Sequence, residues 1–221
     1  NTFNPGSEYG IYAIKVGRLE SFQNRFTKPA KAGIYGEYVK EMIVNDFNAF
    51  SQCPSGIECY QTDLRVDNQN SFASGNFGIV AAKKSSCKVT NQNLFSENKV
   101  GIYTNYYTYT NIDNNVFDKE FVDILCWATY GTIIISNNVM NDPELASVFS
   151  LNNIFNTTTV QHIHHNQISN TNPNSNNPNT NNATGIISTN NTNTNRDYNI
   201  IEWNRIQDIG YGIQLTKSDY S

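Results

Sequence analysis

A three-residue stretch, Asn-x-(large apolar), recurs along the chain at a nearly fixed interval. It reads Asn1-Thr2-Phe3, Asn24-Arg25-Phe26, Asn48-Ala49-Phe50, Asn70-Ser71-Phe72, Asn93-Leu94-Phe95, Asn115-Val116-Phe117 and Asn138-Val139-Met140, at intervals of 23, 24, 22, 23, 22 and 23 residues. Asn166-Gln167-Ile168 and Asn204-Arg205-Ile206 follow after 28 and 38 residues. A period of this length points to a stack of like units, each burying its apolar face against the next. A second landmark keeps step with the first: Gly10-Ile11, Gly33-Ile34, Gly56-Ile57, Gly78-Ile79, Gly101-Ile102, Gly185-Ile186 and Gly212-Ile213. In the first five units the Gly precedes its Asn by 14 or 15 residues. Phe121-Val122-Asp123-Ile124 and Ser147-Val148-Phe149 hold the equivalent place in the next two.

The residues between the landmarks alternate, as in Gly101-Ile102-Tyr103-Thr104-Asn105, which is the pattern of a strand with one buried face. The residue three after the Gly is often small (Ala13, Gly36, Cys59, Ala81, Thr104), which suits a crowded inward position. A second strand precedes the Asn and a third starts after it. No 3.6-residue period is sustained, and turn residues arrive every few positions, so helices are excluded. Three short strands and three bends in about 23 residues describe one coil of a parallel β-solenoid, rising by the ~4.8 Å spacing of paired strands. The expected fold is all-β: a single parallel β-helix over 1–221, with about nine coils of 22–24 residues. Asn24, Asn48, Asn70, Asn93, Asn115, Asn138, Asn166 and Asn204 are expected to form a structural ladder, each adopting the left-handed backbone of a sharp bend and bonding its amide along the axis.

The rhythm breaks late in the chain. Asn141-Asp142-Pro143-Glu144 is expected to begin a first insertion. Residues 169–184, with eight Asn and two Pro, have nothing to bury and read as an inserted loop. The chain opens and closes part-way through a unit, so it is expected to be a fragment of a longer protein, with further domains of that chain as neighbours.

Composition narrows the function classes. Charged residues make up only 15% and asparagines number 36, yet 25 Tyr and Phe supply a core. A net charge of −4 offers no footprint for nucleic acid. No stretch approaches the roughly 20 apolar residues of a spanning helix. Cys53, Cys59, Cys87 and Cys126 lack zinc-ligand spacing; a local Cys53–Cys59 disulfide around Pro54-Ser55-Gly56 is one reading, and small buried fillers the other.

The phased Gly-Ile and Asn-x-Phe coils resemble the right-handed parallel β-helix repeats of the pectate-lyase-like superfamily, in the style of its non-catalytic bacterial surface and secreted members. That resemblance implies an extracellular or cell-surface structural domain, adhesive or glycan-binding. It also admits a polysaccharide lyase or glycoside hydrolase acting on an acidic polysaccharide, or a trimeric tailspike-like receptor-binding fibre.

Three groups of residues are candidates for chemistry. His162 and His164 share one strand face, with His165 beside them, and two such His can hold a metal or supply a base. The same positions in other coils are ordinary outward ones. Lys83 and Lys84, with Arg65, match the Lys or Arg base that the lyases use, but the spacing from the Gly landmark puts Arg65 on a different part of the coil. Calcium is the one cofactor the resemblance leaves open; the acids Glu37, Glu58 and Asp123 stand in unequal phases. Finally, Tyr12, Tyr35 and Tyr103 stand two residues beyond a Gly, in the column shared with Glu58 and Val80, and form a stripe on which sugars could stack.

Overall fold

The structure is a computed structural model and describes residues 1–106, 109–155, 160–170, 183–189, 192–193 and 199–216. Each coil lays down three strands, as in Val100–Asn105, Tyr109–Asp113 and Val116–Asp118. Like strands of successive coils pair in parallel. Among the described residues they build a nine-stranded first sheet, an eight-stranded second sheet and a nine-stranded third sheet. About eight turns result, close to the nine coils expected from the repeat.

The pairing keeps the sequence landmarks in phase. In the third sheet Phe26, Phe50, Phe72, Phe95, Phe117, Met140, Ile168 and Ile206 follow one another across adjacent strands. The five Phe rings lie within 11° of parallel, with centroids 4.7–4.8 Å apart. That separation equals the strand spacing, so one rotamer repeated in every coil gives an offset stack at no cost in backbone geometry. In the first sheet Ile34, Ile57, Ile79, Ile102 and Ile186 of the Gly-Ile pairs are fully buried, as are the small residues Cys59, Ala81 and Thr104.

The glycine is fixed by the ring. A Cβ on Gly78 would stand 2.7 Å from Phe95 Cδ1 and 2.5 Å from the carbonyl oxygen of Gly101. Gly10, Gly33, Gly56 and Gly101 meet Phe26, Phe50, Phe72 and Phe117 in the same way. None of these five has positive φ, so space rather than backbone freedom selects glycine here.

The asparagine ladder runs along the corner between the second and third sheets. Asn48, Asn70, Asn93, Asn115, Asn138 and Asn166 each send the Nδ2 amide to Oδ1 of the next asparagine, at 2.9–3.3 Å. The same Oδ1 accepts the backbone N–H of the preceding Asn, as from Asn70 to Asn93 at 3.0 Å. Nδ2 also reaches main-chain carbonyls, in Asn138 that of Ile112. At Asn24 the amide turns to Ser21 Oγ, which relays to Asn48 Oδ1. One side chain thus supplies the donors and the acceptor that a corner takes away from the sheet ladder. The expectation that the Asn itself is left-handed is corrected. The residue before it takes that conformation: Gln23, Phe47, Gln69, Gln92, Asn114, Asn137, His165 and Trp203 have φ between 53° and 63°. The Asn is placed by its amide bonds, not by tolerance of positive φ.

Two further expectations change. The four cysteines are free and buried, and Cys53 lies against the carbonyls of Phe26 and Ser51 rather than in a disulfide with Cys59. Their role is packing. The first insertion does not begin at Asn141. From Val122–Trp127 to Ala146–Leu151 the chain advances 24 residues, an ordinary turn. The extra length falls after Leu151, where Ile154–Phe155 pairs with Thr192–Asn193 outside the three sheets. The strands on either side of the 169–184 insertion, Gln167–Ser169 and Thr184–Thr189, are described; 171–182 lie outside the described residues.

Candidate functional site: the outward face of the first sheet

The first sheet presents two outward columns. One runs Tyr12, Tyr35, Glu58, Val80, Tyr103, Leu125, Phe149 and Ile187. The other contains Ile14, Glu37, Tyr60 and Ala82, and then Asn105, Trp127, Leu151 and Thr189. Because the strands are hydrogen-bonded on both sides, these side chains stand on a stiff platform.

The early half of this face is an aromatic and acidic cluster. Tyr12 and Tyr35 stack with centroids 5.1 Å apart, and Tyr9 and Tyr60 pack beside them. The Tyr35 hydroxyl donates to Glu37 Oε2 at 3.1 Å, and the Tyr60 hydroxyl donates to Glu58. Burial and the adjacent carboxylates push both phenols well above their usual range. Lys83, at the left-handed corner that follows the strand, holds its ammonium 5.0 Å from the Tyr60 ring centroid. The tyrosine stripe expected from the sequence is interrupted, although Tyr12 keeps 57% of its surface exposed. Tyr12 and Tyr35 cover one another's faces, and Glu58 and buried Val80 separate them from Tyr103. Tyr103 is half-buried, tilted against Phe77, with Asn105 Nδ2 donating to its hydroxyl at 2.6 Å.

The later half, over Tyr103, Asn105, Leu125, Trp127, Phe149 and Leu151, carries no charged side chain. Trp127 stands here with 45% of its surface exposed. Sequence reasoning missed it because only the position two beyond each Gly was followed. Counting four beyond the Gly place, with Asp123 standing for Gly, reaches Trp127.

The other candidates lie elsewhere. Arg65 is on the second sheet, where it bonds Asp67, so it does not meet Lys83 or Lys84. His162 and His164 do share the outward face of Gln161–His164, with Ile163 pointing inward. Their rings are 4.0 Å apart. His164 Nδ1 faces His165 Nδ1 at 2.8 Å, and His162 Nε2 faces Glu202 Oε1 at 2.9 Å. Desolvation and the neighbouring imidazoles lower the pKa of His164. Glu202 comes from 40 residues further on, and no sequence signal announced the pair. Among the described residues no three His, Cys, Asp or Glu side chains are gathered so as to hold a metal ion. Glu37 and Glu58 face tyrosine hydroxyls, and Asp123 is inside the barrel.

The model of the right-handed β-helix region matches residues 1–143. The chain belongs to the right-handed β-helix family. This agrees with the likeness to the pectate-lyase-like superfamily and supports a structural or carbohydrate-related role in general. No curated protein and no solved structure gives a match. Among the described residues no helix is long and apolar enough to cross a membrane.

Proposed function

We propose that this β-helix is a surface or secreted module that binds a glycan on the outward face of its first sheet, around Trp127. The observation that carries the reading is the exposed indole of Trp127, set on a rigid strand among Tyr103, Asn105, Leu125 and Phe149 with no charge beside it. An aromatic ring offers a sugar a flat apolar face, and Asn105 and the Tyr103 hydroxyl offer hydrogen bonds at its edge. Side chains ordered before binding lose little entropy on binding. The test is retention on a glycan array. Trp127→Ala is expected to lower retention at least tenfold, while Tyr12→Ala, in the self-stacked early cluster, leaves it unchanged. Equal retention by wild type and Trp127→Ala would sink the reading.

One observation favours a catalytic alternative. A carboxylate within hydrogen-bond reach of an imidazole, as Glu202 is of His162, fixes the orientation of the ring, which suits a general base. Incubation with a panel of uronate polymers tests it: unsaturated product abolished by His162→Ala supports a lyase, and no product removes it.

A further inference from the structure

The corner between the third and first sheets changes character in the coil that ends at Met140. Gly101 is followed in register by Asp123, and Asp123 by Ser147. Both side chains are fully buried, and neither Asp123 carboxyl oxygen nor Ser147 Oγ has a hydrogen-bond partner. Ser147 lies close enough to favour the Asp123 carboxylate slightly, but the pair falls short of bonding geometry. Glu120, three residues earlier, is fully buried in the same corner. Its two oxygens accept the Asn98 backbone N–H and the Asn98 Nδ2 amide, each at 3.0 Å. The other titratable groups of this corner are Glu97, Lys99, Asp118, Lys119, Asp142 and Glu144, none of them fully buried. Lys119 approaches Asp118, at 4.0 Å, rather than either buried acid.

We propose that this corner is a proton-binding joint: Asp123 is held as the neutral acid in the folded coil, and the contact between the coils of Asp123 and Ser147 is tight in acid and loosens in alkali. Glu120 already has a donor on each oxygen and shares the corner, whereas an ionised Asp123 would lie in the interior with no cation and only the Ser147 hydroxyl near it. Burial pushes the Asp123 carboxyl well above its usual range, with Glu120 raising it further, and burial pushes the Glu120 carboxyl to about 8 against the two Asn98 hydrogen bonds that lower it. The direction of the linkage follows. An acid whose folded pKa is raised binds more protons folded than unfolded. Stability is therefore full below the unfolded carboxyl value, near 4, and is lost as pH rises towards the folded values.

Urea unfolding of the 221-residue chain, followed by tryptophan fluorescence at pH 5.5, 7 and 8.5 with and without added calcium, tests the assignment. The unfolding constant of the wild type should rise about tenfold per pH unit for each linked proton, and so between about tenfold and a hundredfold with Asp123 and Glu120 both contributing. Asp123→Asn should flatten that slope and be the more stable of the two at pH 8.5. If Asp123→Asn does not fold, Glu120→Gln should reduce the slope instead. A slope unaltered in every folded variant overturns the proposal. So does a wild type whose stability at pH 8.5 is restored by calcium and removed by a chelator, since the corner would then hold a cation and not a proton.

Discussion

In five successive coils Phe26, Phe50, Phe72, Phe95 and Phe117 each stand against a glycine; in the next two, Met140 and Ile168 share the corner with Asp123 and Ser147. Gly185 then returns, with Ile206 at 3.1 Å from where its Cβ would be. The comparison shows that the corner holds a nearly constant volume, filled from one side by a ring and from either side once the ring is gone. It also shows what the exchange costs. The ring-and-glycine coils are apolar at this point, while the Asp123 coil brings a carboxyl into the interior with no partner.

The largest expected effect comes from forcing one solution onto the other. Gly78→Asp should unfold its coil or cost more than about 4 kcal/mol, because the new Cβ meets Gly101 O and Phe95 while the carboxylate is buried. Adding Phe95→Met should restore part of that loss. A double-mutant cycle in urea measures it, and strict additivity would show that ring and glycine are not coupled. Phe95→Ala is next, at about 3–5 kcal/mol by thermal or urea unfolding. Asn93→Ala should follow at about 3 kcal/mol, since it strands the Asn70 N–H and the Thr90 carbonyl. Asn93→Asp should also be destabilising, because a carboxylate cannot donate to Asn115. The smallest change is Lys83→Ala on the outer face, at about 0.5 kcal/mol from the lost contact over Tyr60.

The parts of the fold that repeat were legible because one coil's contacts are those of its neighbours, 22–24 residues away. A residue type selected once is selected in every unit, so the Phe column, the glycines and the ladder asparagines appear as a period in the chain. Features made by single coils carry no such signal. The His162–Glu202 contact crosses an insertion, and the Asn98–Glu120 bonds join two coils at a corner that has no asparagine ladder. The ladder asparagines were recognisable, but the left-handed residue was not. It is variously Gln, Phe, Asn, His and Trp, because the corner fixes its backbone and leaves its side chain outside.

The sequence by itself therefore determined the architecture: parallel coils, a core column of rings, glycines opposite them and an amide ladder at one corner. Only the tertiary structure decided how far each outward aromatic ring is covered by its neighbours. Tyr12 and Tyr35 point outward as their alternation requires, and their rings stack on each other, which covers one face of Tyr12 and leaves 57% of its surface exposed. Trp127 stays exposed because Asn105 and Leu151, its neighbours in register, are not aromatic and cannot stack on it. Exposure depends on what lies in the next coil up and down, and that pairing exists only once the coils are stacked.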